Sequence, residues 1–485
     1  MKNKIINLIS GLGGGKAWLL LIIMLVGVTH ARAQETYGLE IAGVEVTSEN
    51  CNDLSVIPGV SGTVKYDPKT YTLTLNNATI SCYSTSRNGI FIKESNVKIE
   101  LIGENYISAE IFDLVFSYGT NNYSLPKKLT LTGGGTFEGR SRGGIRIANT
   151  FSNLVIDNSK VNSQSISGYD KDTVTVRNSS TVTLRGDSNG TLYMLNALVL
   201  DGCVVAQPSG ATFNEIALRK NGEVVTGEVV IEPLKTYPCE ITGVSITNAN
   251  CGDLSVIPGV SGKVQYDPET KTLTLDNATI NATGTTAGLL NTTSGTNMQC
   301  IAKINLIGEN TITVENASAM SIISVNSTIK GSGTLTLKSK EAGIMLEQST
   351  LALDSCSIAL SGKYGIKGAS KNESLNINHA NVVVDGDRGA IVDVSSLTLT
   401  GCKITSPEEA AYDETERAVR ANGKMVYHLV IEKTVDNPSV GIKDVEAGVP
   451  AHKQGFYSLG GVYLGNDFDA LPKGIYIKDG KKVMK

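Results

Sequence analysis

Histidine and tryptophan are nearly absent from these 485 residues, and positive charge is not in excess. Of the four histidines, His30 lies in the apolar N-terminal stretch, while His379, His428 and His452 are widely separated in sequence. That leaves little for histidine catalysis or a His-rich metal site. No C-x-x-C, H-E-x-x-H, P-loop, G-H-G or His-acid-Ser pattern occurs. The one tryptophan, Trp18, also falls in the N-terminal stretch, so stacking on a ligand is left to Tyr and Phe.

Residues 1–33 carry Lys2, Lys4 and Lys16, the run AWLLLIIMLVGV, and the small-x-small site Ala31-Arg32-Ala33. This is the pattern of a cleaved export signal, and its apolar core is too short to span a bilayer. No Cys follows it to take a lipid anchor. The expected mature chain keeps 39 basic against 47 acidic residues, a net charge of about −8 that argues against nucleic acid and anionic membrane as partners. An extracellular or outer-surface location follows as the expectation.

What the chain has in quantity is repetition. The segment IAGVEVTSENCNDLSVIPGVSGTVKYDPKTYTLTLNNATI from Ile41 returns, little changed, from Ile241. The offset of 200 residues divides the mature chain into units 37–233 and 237–433, followed by a different segment, 439–485. Within each unit an octapeptide recurs, as LTLNNATI at Leu73, LVIDNSKV at Leu154, VTVRNSST at Val174 and LVLDGCVV at Leu198. The second unit repeats it at Leu273, Leu351, Leu375 and Leu397. Apolar positions one and three predict a strand with one buried face, positions four and five a corner, and positions six and eight a second strand. Several starts lie 20–24 residues apart, about one circuit of a coil. The predicted fold is all-β: two tandem right-handed parallel β-helix units of about six rungs, each opened by a hairpin around Asp67-Pro68 or Asp267-Pro268 and closed by one around Asn221-Gly222 or Asn422-Gly423. A β-sandwich is the alternative, but it does not require a corner motif at coil spacing.

Eight cysteines in an exported chain invite disulfides. Cys203, Cys356 and Cys402 occupy the inward sixth position and read as small buried hydrophobes, with Cys356 and Cys402 two rungs apart and too distant to bridge. Cys51 with Cys82, and Cys251 with Cys239, are the candidate pairs; Cys300 has no evident mate.

Position four of successive octapeptides in the first unit carries Asp157, Arg177 and Asp201, which in register make an outward Asp-Arg-Asp ladder. Its carboxylates would be about 9.6 Å apart, near the upper limit for an inverting glycosidase pair. A surface ion pair beside a turn is the plainer reading. The second unit has Asp354, Asn378 and Thr400 there. Arg185-Gly186-Asp187 spells an integrin-type tripeptide but reads as a corner turn. Tyr66 and Tyr266 are equivalent and are candidate sugar-stacking rings, or packing residues beside their hairpins. Corner Asn and Asp side chains offer oxygen for Ca²⁺, and no other cofactor or metal is indicated.

The last 30 residues, with Tyr457, Leu459 and Gly460 followed by Leu471-Pro472-Lys473-Gly474-Ile475-Tyr476-Ile477, resemble the C-terminal sorting segments of type IX-secreted Bacteroidota proteins. The repeat units are similar to parallel β-helix domains of secreted bacterial proteins, some of them carbohydrate-binding, and the architecture is shared with polysaccharide lyases. The resemblance implies a polysaccharide or cell-surface glycan as partner. The expectation is a non-catalytic glycan-binding surface protein; a polysaccharide lyase or hydrolase and a structural spacer or adhesin are the alternatives.

Overall fold

The computed structural model describes residues 34–82, 88–117, 127–148, 151–169, 171–293, 300–369, 372–434 and 454–485. The predicted export signal and residues 439–453, with His452, lie outside these. Through residue 433 the chain winds into a parallel β-solenoid of about 13 turns. Among the described residues, helix is confined to the 3-10 turns Leu54–Val56 and Leu254–Val256.

Each repeat folds as a three-faced prism. In the first, one face stacks the start of Thr72–Ser81 on Val97–Ile102, Lys127–Thr132, Ser152–Asp157, Thr173–Arg177 and Ala197–Asp201, all parallel. The second face continues from the other half of Thr72–Ser81 through Glu104–Ser108, Thr136–Gly139, Lys160–Ser163 and Thr181–Leu184. The third stacks Asn88–Ile92, Phe112–Phe116, Ile145–Ile147, Ile166–Ser167 and Leu192–Tyr193.

Stacking puts like side chains above one another. Leu73, Ile99, Leu131, Ile156 and Val176 form one inward column, and every member is fully buried. Each such aliphatic side chain contributes about 1.5–3 kcal/mol by leaving water. The octapeptide corner is legible in the backbone: its fifth residue takes a left-handed conformation at Asn77, Asn158, Asn178, Ser355 and His379, with φ between 46° and 53°. Asn tolerates that region better than most residues, and glycine takes it freely at Gly202 and Gly401. The sixth residue is buried at Ala78, Ser159, Cys203, Cys356 and Ala380. VTVRNSST departs from the pattern. There Ser179 is left-handed as well, so the corner is one residue longer and Ser180, then Val182, take the inward places.

Both predicted hairpins form in each prism. Val60–Asp67 pairs antiparallel with Thr72–Ser81, and the Asp67 carboxylate accepts from Lys69 N–H and Thr70 Oγ1 across the turn. Asn221-Gly222 and Asn422-Gly423 turn with two positive φ angles each, the geometry that suits a twisted two-residue hairpin. The ladders are closed by antiparallel strands. Thr36–Ile41 caps the third face, and Val229–Pro233 lies along Thr181–Leu184 and Cys203–Gln207; Thr236–Ile241 and His428–Lys433 do the same work in the second prism. The sheets of the two prisms are separate.

Cysteine pairing differs from the expectation. Cys239, on the capping strand, is bonded to Cys300, with Cα atoms 6.1 Å apart, and Cys51, Cys82 and Cys251 are free thiols. Cys251 sits on the hairpin side of the cap, where its carbonyl receives Tyr266 N–H. Cys82 instead donates to the Asn88 and Ser108 carbonyls, and Cys51 to the Ser48 carbonyl. Nearness in sequence to the cap was a poor guide, because the coil returns a residue 61 positions later to the same level.

Residues 454–485 form a separate four-stranded antiparallel sheet of Phe456–Tyr457, Tyr463–Gly465, Ile475–Lys478 and Lys481–Met484. No helix among the described residues is long and apolar enough to cross a membrane.

Candidate functional site

The Asp-Arg-Asp ladder is in register: Asp157 lies beside Arg177, and Arg177 beside Asp201. Its chemistry is that of an ion pair. Arg177 donates from Nη2 (2.7 Å) and Nε (3.0 Å) to one oxygen of Asp157, and Asn178 donates to the other at 2.7 Å. Burial pushes the Asp157 carboxyl up, but the hydrogen bonds from Asn178 and Arg177 and the guanidinium charge outweigh it and hold the group below the usual range. A general acid needs the opposite perturbation. Asp201 is exposed at the end of the stack.

Tyr66 and Tyr266 are 2% and 4% exposed and pack on Tyr37 and Tyr237, so neither presents a ring face to a ligand. Burial pushes the Tyr66 hydroxyl well up and that of Tyr266 to about 12. They are core residues, a correction to the sugar-stacking expectation. Arg185 is drawn back onto the prism by Glu138 and Gln164, while Asp187 caps its own turn through Asn189 N–H. For Ca²⁺, no group of three or more His, Cys, Asp or Glu is placed to hold a metal among the described residues.

A different cluster stands on the third face of the first prism. Its outward column runs Glu40, Phe91, Val115, Arg146, Ser167, Tyr193 in strand register. Arg146 lies between two rings, 5.5 Å from the Phe112 centroid and 5.4 Å from that of Tyr169, and donates to the Tyr169 hydroxyl at 3.4 Å. Lys171 lies 5.0 Å over Phe151, and Lys93 5.1 Å over Phe91. Val115 and Ser167, although outward, are buried beneath this layer.

Local structure explains the placement. Gly143 makes room for the Phe112 ring: a Cβ there would lie 2.5 Å from two ring carbons. At the corner beyond the strands, the buried Asp172 accepts from Tyr169 N–H at 2.8 Å and from Ser152 N–H, beside Phe151, at 2.9 Å. Phe151 and Tyr169 are therefore held about half exposed at this corner. Lys93 is neutralised by Glu40 at 2.6 Å, whereas Arg146 and Lys171 have no carboxylate partner among the described residues. Each cation–ring contact is worth roughly 0.5–1 kcal/mol at an exposed site. Two cations with no carboxylate partner among the described residues, set among four rings, make a surface suited to the apolar side of a sugar ring and to an anion beside it.

Among the described residues, the second prism lacks this layer. Its equivalent column is Glu240, Leu290, Ser321, Met345 and Lys367, with Tyr364 alone between Lys363 and Lys367. Sequence reasoning singled out none of these residues, because they lie outside the octapeptide. A signal was present nonetheless: six of the eight phenylalanines fall in 37–233 and none in 237–433. Neither a family model, nor a curated protein, nor a solved structure matches this chain.

Proposed function

We propose that this is an exported, non-catalytic β-solenoid whose first prism binds an acidic polysaccharide along its third face. The observation that carries the reading is Arg146 held between Phe112 and Tyr169 with no carboxylate partner among the described residues. Sugar recognition on a β-sheet face calls for rigid aromatic surface and directional polar groups, and a uronate or sulfated sugar adds the anion that Arg146 and Lys171 would meet. Export is supported by the signal-like residues 1–33, and surface delivery by the likeness of residues 457–477 to type IX sorting segments. The second prism, sharing the scaffold without the aromatic layer, serves as spacer.

The test is a glycan array probed with the mature chain, with and without Ca²⁺, covering acidic and neutral polysaccharides, followed by titration of the best ligand into Arg146→Ala and Tyr169→Ala. Binding confined to acidic glycans and weakened at least tenfold by either substitution is expected. Absence of binding across the array would sink the reading. Release of shortened product, abolished by Asp201→Asn, would replace it with the lyase or hydrolase alternative.

A further inference from the structure

The junction between the prisms is a specific joint, and the outer ends of the two-prism array depart from it. At the closing cap of the first prism, Lys220 Nζ reaches the Asp253 carboxylate of the second at 3.0 Å and also donates to the Ser209 carbonyl. Ser209 Oγ donates to the Ala249 carbonyl at 2.9 Å. Two glycines bring the caps together. A Cβ on Gly210 would lie 2.6 Å from Val256 Cγ1, and one on Gly252 would lie 3.3 Å from Ser209 Cβ. Val256 is 47% exposed, against 68% for its counterpart Val56 at the opening of the first prism.

The same scaffold positions recur at both outer ends. At the opening end, Asp53 repeats Asp253, and each carboxylate accepts from the serine two residues on. Val56 also keeps its place, but Asn52 stands where Gly252 does. At the closing end the cis-proline turn is kept, with Pro407 for Pro208, and so is the following hairpin, yet Ser209 becomes Glu408, Gly210 becomes Glu409 and Lys220 becomes Ala421. The cation is gone and two exposed carboxylates have arrived, on a surface whose partner in a second copy would offer Asp53. The close-approach glycines are gone from both ends. Like charges brought together at an interface oppose docking, and bulk at the contact excludes it.

We propose that Asn52, Glu408, Glu409 and Ala421 are stop residues that prevent a second copy of this chain from docking head to tail through the joint its own two prisms use. The scaffold alone would propagate, since every cap after the first has a complementary opening to meet; the four side chains end the array at two prisms.

The test transplants the joint. In the full chain, Asn52→Gly, Glu408→Ser, Glu409→Gly and Ala421→Lys are combined, and the variant is compared with wild type by sedimentation equilibrium over a range of concentrations. Wild type is expected to stay monomeric, and the variant to show a weight-average mass climbing beyond twice the monomer, returning to monomer when Asp53→Lys is added. Asn52, Glu408 and Glu409 are exposed and Ala421 is half-buried, as Lys220 is in the joint, and an unchanged melting profile of the two β prisms verifies folding. A folded variant that remains monomeric, a mass increase that Asp53→Lys leaves intact, or a wild-type chain that already associates through Asp53 would each overturn the proposal. Should the fourfold variant fold poorly, a chain carrying Glu408→Ser, Glu409→Gly and Ala421→Lys is mixed with one carrying Asn52→Gly, and a heterodimer that is lost when Asp53→Lys is added to the second chain is read the same way.

Discussion

The Tyr169 amide donates to one oxygen of the buried Asp172 carboxylate at 2.8 Å, while the other oxygen takes the Ser152 amide of the preceding rung at 2.9 Å. One side chain thus ties two successive corners and sets the exposure of two aromatic rings. In the second prism the buried Glu373 occupies the corresponding corner and accepts from Gln348 N–H at 3.2 Å. The corner clamp belongs to the scaffold, and the rings it positions belong to one copy.

Asp172→Ala removes both acceptors and leaves two amides without them. A loss of about 1–3 kcal/mol in urea-unfolding free energy is expected. Glycan affinity should fall with it, and hydrogen exchange at Tyr169 and Ser152 should accelerate; unchanged exchange there would contradict the clamp.

Gly143→Ala tests the ring layer without removing a ring. The added methyl collides with Phe112, so the ring must leave Arg146. The melting temperature should move by only a few degrees, consistent with about 1–3 kcal/mol for overpacking at a partly exposed site. Binding should drop by the amount seen for Phe112→Ala.

Thiol titration of the unfolded, unreduced chain should find six free cysteines, with Cys239 and Cys300 unreactive. Replacing both with Ser should lower the stability of the second prism by about 2–4 kcal/mol through its 61-residue separation, and leave the first unaffected. Eight titratable thiols would refute the pairing.

Burial raises the Asp113 carboxyl above its ordinary value, with hydrogen bonds from Ser163 Oγ and Ser141 N–H opposing the rise. A carboxyl raised in the folded state contributes stability that is fully present below its unfolded pKa and is lost as pH rises through the folded one. Asp113→Asn should therefore flatten the decline in melting temperature as pH rises above the ordinary carboxylate range. An unaltered slope would show that Asp113 titrates normally.

Much of this molecule was legible because a solenoid repeats its physics. Leu73 and its column announce buried strands by alternation, Asn77 and Asn158 announce corners by tolerating positive φ, and Asn221-Gly222 announces a hairpin. Side chains that meet across rungs were harder to read. Phe112, Arg146 and Tyr169 come from three circuits and share no spacing with the octapeptide, so only their uneven distribution between the copies hinted at a site. Tyr66 misled for a related reason: its position in the repeat was visible, but not the Tyr37 ring that covers it. Cys300 found its mate by circuit rather than by proximity.

Separate sheets with their own closing strands have a consequence for descent. A solenoid whose ladders ran unbroken through both copies could change length one coil at a time, each change exposing or burying a raw edge. Here every backbone ladder begins and ends within one copy, so a recombination event joining Val64 to the residue after Val264 would delete 200 residues and still leave a finished body. Such a lineage counts in whole prisms, and each added prism arrives with blank outer walls on which a new surface can be written.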